Sequence, residues 1–201
     1  IQRYPGVNLE LDYAGKQLYL HNRRNPEETT KVTIFIAALT YSDYFYAEGM
    51  TECDIRNWIR VNNNALAYFG GITPTVTPDN CKVAVAKNKD WINPILNKDF
   101  QAWAEHNDTV LTPAKVKAPR WKPVVEGHVK IVTMHILVDM EDMTFYSLDD
   151  LNRVLMEKVN EENRKPFEGL TYSRYDLFTT EEKESLLPLP SNRFEYLERK
   201  I

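Results

Sequence analysis

N-L-E-L-D-Y-A-G-K, residues 8–16, alternates along its length: Leu9, Leu11 and Tyr13 fall on one side, Glu10 and Asp12 on the other. That is the period of a half-buried strand. A carboxylate in a strand expected to sit centrally is costly, because burying it is destabilising unless it is paired or binds a cation. Asp12 therefore sends the search for its partners along the rest of the chain.

Working outward, Ala14-Gly15-Lys16 reads as a tight turn, after which residues 17–21 return as the second arm of a hairpin, with Leu18 and Leu20 alternating against polar neighbours. A polar loop containing Asn25-Pro26 follows. Residues 32–40 are β-branched and apolar at their centre, as expected of a strand covered on both faces. These make three antiparallel strands, and residues 44–50 extend the sheet or line its edge. Thr51 reads as the cap of a helix carrying Ile55, Trp58, Ile59, Leu66 and Phe69 on one stripe, closed by Gly70-Gly71. Ordinary core packing explains that aromatic stripe. A short strand at 75–77 runs into Pro78-Asp79-Asn80, which stands a second carboxylate at a strand's end, with Lys82 close behind.

Further on, Phe100, Trp103 and Ala104 mark a helix over 97–107, and 109–111 form a short fifth strand. A basic, proline-broken loop with Trp121 leads to a long helix beginning near Pro123, whose stripe is Val125, Val129, Val132, Ile136 and Met140. Glu126 lies at the border of that stripe, where a carboxylate can lean over the sheet. Ser147 opens a last helix with Leu148, Leu151, Leu155 and Val159 on its apolar side, ending near 163–166. Residues 186–190 read as an extended linker. The expected organisation is a domain over 1–146, a helical extension over 147–190, and the opening of a further domain or a linker over 191–201.

The totals are those of a soluble globular protein: 201 residues, 43% hydrophobic and 27% charged. The longest apolar run, residues 34–39, is too short to cross a bilayer, and an intracellular location is expected. Cys53 and Cys81 form no C-x-x-C pair and read as packing residues. A net charge of −4 is not the footprint of a free-standing nucleic-acid binder. Residues 115–130 nevertheless hold Lys115, Lys117, Arg120, Lys122 and Lys130 against the single acid Glu126, a candidate phosphate-facing surface. The opening at Ile1 and the charged stretch at the other end are expected of a piece of a longer protein.

Three carboxylates stand at informative places: Asp12, Asp79 and Glu126. Antiparallel strands followed by alternating strands and helices describe a mixed sheet whose right-handed crossover brings the fourth strand beside the first. Such a sheet can draw the three acids together. Like charges so close need cations, and hard divalent ions prefer oxygen ligands. Two such ions can clamp the attacking and leaving oxygens of a phosphoryl displacement, so the expected chemistry is metal-assisted phosphodiester transfer.

These residues carry a resemblance. L-D-Y-A-G-K at 11–16, F-G-G-x-x-P and P-D-N-x-K within 69–82, V-E-G-x-V at 125–129 and R-K-P-F at 164–167 resemble the catalytic core of IstA-type insertion-sequence transposases, of the retroviral-integrase, RNase H-like superfamily. The resemblance implies an α/β fold, an RNase H-like mixed five-stranded sheet flanked by helices, with a helical C-terminal extension. It implies that Asp12, Asp79 and Glu126 are the catalytic acids and ligate Mg²⁺ or Mn²⁺, two ions, with Asn80 and Lys82 in supporting roles. DNA contacts are expected from Lys82, Lys115, Lys117, Arg120, Lys122 and Lys130. It further implies transposon-end and target DNA as partners, a homo-oligomer on that DNA, a helper AAA+ ATPase, a DNA-binding region before Ile1 and a small β-rich domain after Pro190. Val124 stands where the family often has a basic residue, and His128 is a further departure. Two alternatives remain: an RNase H-like nuclease that hydrolyses without joining, and an inactive domain that only binds DNA or protein.

Overall fold

A computed structural model describes residues 3–78, 97–112 and 129–197. Its strands are β1 (Asn8–Tyr13), β2 (Leu18–His21), β3 (Thr29–Leu39), β4 (Phe45–Met50), β5 (Thr75–Pro78) and β6 (Val110–Leu111), joined in one six-stranded sheet. Its helices are α1 (Ile55–Phe69), α2 (Lys98–His106), α3 (Lys130–Glu141), α4 (Leu148–Arg164) and the short α5 (Arg174–Leu177), which runs on into a π-helical turn at Phe178–Glu182. None of the helices among the described residues is long and apolar enough to cross a membrane.

The mixed sheet is the expected one, with β5 parallel to β1 on one side, β3 antiparallel to it on the other, and β6 parallel to β5. Two details differ from expectation. Within the 44–50 stretch, Phe45–Met50 form a full strand, β4, antiparallel to β3 and buried throughout, so the sheet has six strands rather than five. The expected hairpin between β1 and β2 is also absent. Both strands run antiparallel to β3 and therefore in the same direction. Tyr13 pairs with Phe35, the Ala14 amide donates to the Ile34 carbonyl at 2.8 Å, and Leu18 then pairs with Val32. Residues 14–17 thus form a bulge that lets the chain continue along β3. The true reversal lies at residues 22–28, between β2 and β3, where the Asn22 amide donates to the Glu28 carbonyl.

Each face of the sheet has its own core. Leu9, Leu11, Tyr13, Phe35 and Ala37 meet α1 and α2, where Trp58 and Trp103 are fully buried. Trp58 stands edge-on to Phe35 with ring centroids 5.3 Å apart, a favourable aromatic geometry. The cap of α1 is Asp54 rather than Thr51, its side chain accepting from the Asn57 amide. Gly70 closes the helix with φ +73°, a left-handed turn suited to glycine. On the opposite face Ile34, Ile36, Phe45 and Ala47 pack against Ile136, Leu137 and Met140 of α3 and Leu151, Leu155 and Val159 of α4.

The exposed edge of a sheet invites further pairing. Here α4 closes it with two asparagines. Asn163 accepts from the Phe45 amide at 3.3 Å and donates to the Phe45 carbonyl at 2.8 Å. Asn152 treats Gly49 the same way, at 2.6 and 3.1 Å. Each primary amide copies the donor and acceptor of a missing strand residue.

Residues after 185 are not a free linker. Leu187 exchanges two backbone hydrogen bonds with Ile72, while Phe194 and Tyr196 pack against the α1 side of the core. Nearby, the buried Glu182 accepts from the amides of Gly6 and Ser42 at 3.0 and 3.2 Å. Burial pushes its carboxyl above the usual carboxylate range, and those hydrogen bonds pull it back.

Asn163→Ala leaves two backbone groups of Phe45 without partners in a buried place and is expected to cost about 2–3 kcal/mol of stability. Urea unfolding checks this, and a loss under about 0.5 kcal/mol, the range of an ordinary surface change, would contradict the assigned edge-closing role.

Candidate active site at the end of the first strand

Asp12 is the second-last residue of β1, register-paired with Ile36 of β3, and only 7% exposed. Alternation places it on the face covered by α3 and α4, the same side as Glu10 and Asn8. The carboxylate is well held. Its Oδ1 accepts from the Tyr13 amide at 2.7 Å, and its Oδ2 lies 3.2 Å from the Lys130 ammonium. Lys130 is the first residue of α3, and Val129 before it is fully buried, so the start of that helix is seated over the end of β1. A charge-assisted contact of this kind offsets the desolvation of Asp12.

The neighbouring strand ends at the same level. Leu11 pairs with Pro78, the last residue of β5, and the next residue in sequence is Asp79. Asp79, Asn80, Lys82, Lys115, Lys117, Arg120, Lys122 and Glu126 lie outside the described residues, as do Cys81, Trp121, Val124 and His128. The described residues thus bring Asp12 and Lys130 together, and bring to Asp12 the residue that precedes Asp79 and the helix that begins four positions after Glu126. Among them no three His, Cys, Asp or Glu side chains gather as a metal site.

A polar row on the same face escaped the sequence reading. Asn8 Oδ1 accepts from the hydroxyls of Thr75 and Thr77 at 2.9 and 3.0 Å, and the Thr77 and Thr112 hydroxyls meet at 2.8 Å. These bonds tie β1, β5 and the end of β6 side by side. The T-x-T spacing at 75 and 77, with a polar residue two positions before Glu10, was the available signal. Cys53 is half-buried, and burial pushes its thiol up, which disfavours the thiolate a nucleophile needs.

No protein-family model matches the chain. Curated relatives 32–38% identical over 96–97% of it carry transposase names. One, "Putative transposase y4bL/y4kJ/y4tB" of Sinorhizobium fredii, is 38% identical over 97% of this chain. The chain spans 34–37% of the length of these relatives. Among solved structures, the simian T-cell lymphotropic virus intasome in complex with the PP2A regulatory subunit B56 gamma matches with a TM-score of 0.62 at 14% identity, covering 98% of this chain and 61% of that one. The HTLV-2 integrase catalytic core domain in complex with magnesium matches with a TM-score of 0.53 at 12% identity, covering 87% and 97%. The chain is therefore homologous, over nearly all its length, to about a third of these insertion-sequence transposases, and it carries the RNase H-like fold of an integrase core.

Proposed function

We propose that the chain is the catalytic core of a DDE transposase, cleaving a transposon end to free a 3′-hydroxyl and joining that hydroxyl to target DNA. One observation carries the reading: a nearly buried carboxylate, Asp12, at the end of β1, with the end of β5 and the start of α3 beside it. Ligands and reacting groups collect at strand ends of open α/β sheets because a rigid scaffold aims them there.

Asp12, Asp79 and Glu126 supply the ligand set. All three are oxygen donors without sulfur or nitrogen, which suits Mg²⁺ or Mn²⁺ and not a thiolate zinc site. A pair of such ions, when bound, makes the attacking oxygen a better nucleophile and shields charge on the leaving oxygen. Asp12 brings its carboxylate already oriented by the Tyr13 amide, so little ordering remains at the moment of reaction. The Lys130 ammonium neutralises Asp12 and, on a side chain 37% exposed, is within reach of solvent and of a DNA phosphate when a cation takes over that role. Lys82, Lys115, Lys117, Arg120 and Lys122 form the proposed basic approach.

The proposed organisation is a catalytic domain over 1–146 and a helical extension over 147–190, with Phe194 and Tyr196 beyond it packed back on the catalytic domain. The proposed partners are transposon-end DNA, target DNA, further copies of the chain and a helper AAA+ ATPase, in a bacterial cytoplasm at the nucleoid.

Paired-end cleavage and strand-transfer assays with Mg²⁺ test the reading. The parent protein is expected to give both nicked and joined products, and hydrolysis with no joined product would assign it to the nucleases instead. Asp12→Asn is expected to lower both steps by about a thousandfold with an unchanged circular dichroism spectrum, since the charge stabilisation removed is worth several kcal/mol; an unchanged rate would reject Asp12 as a ligand. A second expectation concerns the ion pair. Lys130→Ala should cost about 1 kcal/mol of stability, reduced for the partial exposure of Lys130, and that cost should vanish in the Asp12→Asn background. Additive losses in this double-mutant cycle would show that the two groups are not coupled.

A further inference from the structure

The bulge at residues 14–17 has a geometric result: β2 and the first part of β3 continue past the end of β1 as a two-stranded arm. Ile36 lies opposite Asp12, and Thr29 begins the strand, seven residues further along. At the usual rise per residue the arm reaches about 23 Å beyond the level of Asp12. That is about seven nucleotides of B-DNA.

The arm is exposed from Asn22 to Lys31 yet internally tied. Its tip is closed by the Asn22 amide on the Glu28 carbonyl, by the Glu28 amide on the Asn25 carbonyl and by the Asn22 side chain on the Glu28 carboxylate at 2.8 Å. The His21 amide donates to the Phe145 carbonyl, anchoring the arm to the connection between α3 and α4. Over residues 16–31, Lys16, Arg23, Arg24 and Lys31 face Glu27 and Glu28, a positive balance in a chain whose net charge is −4. Lys16 is paired with Glu141, and on the rest of the arm Arg23, Arg24 and Lys31 outnumber Glu27 and Glu28 by one charge, with Glu28 held at the tip by Asn22. Arg23 lies over the ring of Tyr146, 4.4 Å from its centroid, and that ring is 47% exposed. Lys31 pairs across the strands with Tyr19, itself 49% exposed, on the face of the sheet opposite to Asp12. A guanidinium seated on an aromatic face keeps its N–H edge for a bidentate acceptor.

We propose that this arm binds the sugar-phosphate backbone of duplex DNA flanking the reacting phosphate, with Arg23 and Arg24 on phosphates. The inference rests on the proposed function and adds a DNA-binding element on the opposite side of Asp12's strand from β5 and β6. Such an element reads charge and spacing, so it is indifferent to base sequence.

The test is duplex affinity of the full chain as a function of salt, using a random-sequence duplex several helical turns long and a second duplex carrying the terminal sequence. Arg23→Ala/Arg24→Ala is expected to reduce the slope of log affinity against log salt by roughly 2, about 0.9 for each phosphate no longer neutralised, equally on both duplexes. Tyr146→Ala should weaken binding partly and Tyr146→Phe should not, since the ring alone seats Arg23. All of these positions are on the surface, and a matched melting temperature confirms folding. An unchanged slope, an effect confined to an acidic polypeptide used as an alternative probe, or no duplex binding by the parent chain overturns the proposal. Asp12→Asn in parallel separates the two readings: it is judged by cleavage, which should fall about a thousandfold, and the arm variants by the salt slope, so an arm without effect and an Asp12 without effect are distinct failures.

Discussion

A carboxylate at the dry end of a central strand is the constraint around which the molecule is arranged. Asp12 keeps its place because the Tyr13 amide and the Lys130 ammonium offset the desolvation of its charge. That requirement fixes the start of α3 over β1, and α3 in turn joins α4 in covering the half of the sheet formed by β3 and β4. Among the described residues, the other half of the same face, along β1, β5 and β6, carries a polar row of Asn8, Thr75, Thr77 and Thr112. Among the described residues, polar and apolar halves of one sheet face therefore meet at Asp12.

Much of this was legible in the residues because burial leaves a period. The stripe of α1, the face of α2, the cap and face of α4, and the pairing of β5 beside β1 follow from alternation, capping residues and the crossover rule. What could not be read was direction. Ala14-Gly15-Lys16 looks the same whether it reverses the chain or bulges out of it, and β2 alternates identically in either case; only the partner strand decides. Residues 44–50 were ambiguous because a strand buried on both faces loses its alternation, and the asparagines that close its edge sit more than 100 positions away. The segment after α4 hid in a different way. Ser173 and Asp176 form a full capping box, a signal present in the sequence, but the helix it opens is one turn long and shows no stripe.

Within the site, Asp12 was found from the cost of its burial alone, whereas Lys130 drew notice as one of a run of cations and its pairing with Asp12 had no sequence signature. The arm formed by β2 and β3 depends on the bulge and so was invisible until the direction of β2 was known. The proposed function thus rests on small features, the bulge at residues 14–17 and a strand end, set on a framework whose larger features were plain.

The most direct measurement is a crystal structure of the chain soaked in Mn²⁺, with the anomalous signal locating the ions. The expected result is manganese within inner-sphere distance of the Asp12 carboxylate, shared with Asp79 and Glu126, and Lys130 displaced from its present position against Asp12. A map with no anomalous peak at Asp12, or with Asp79 and Glu126 turned away from it under saturating Mn²⁺, would contradict the proposed catalytic centre.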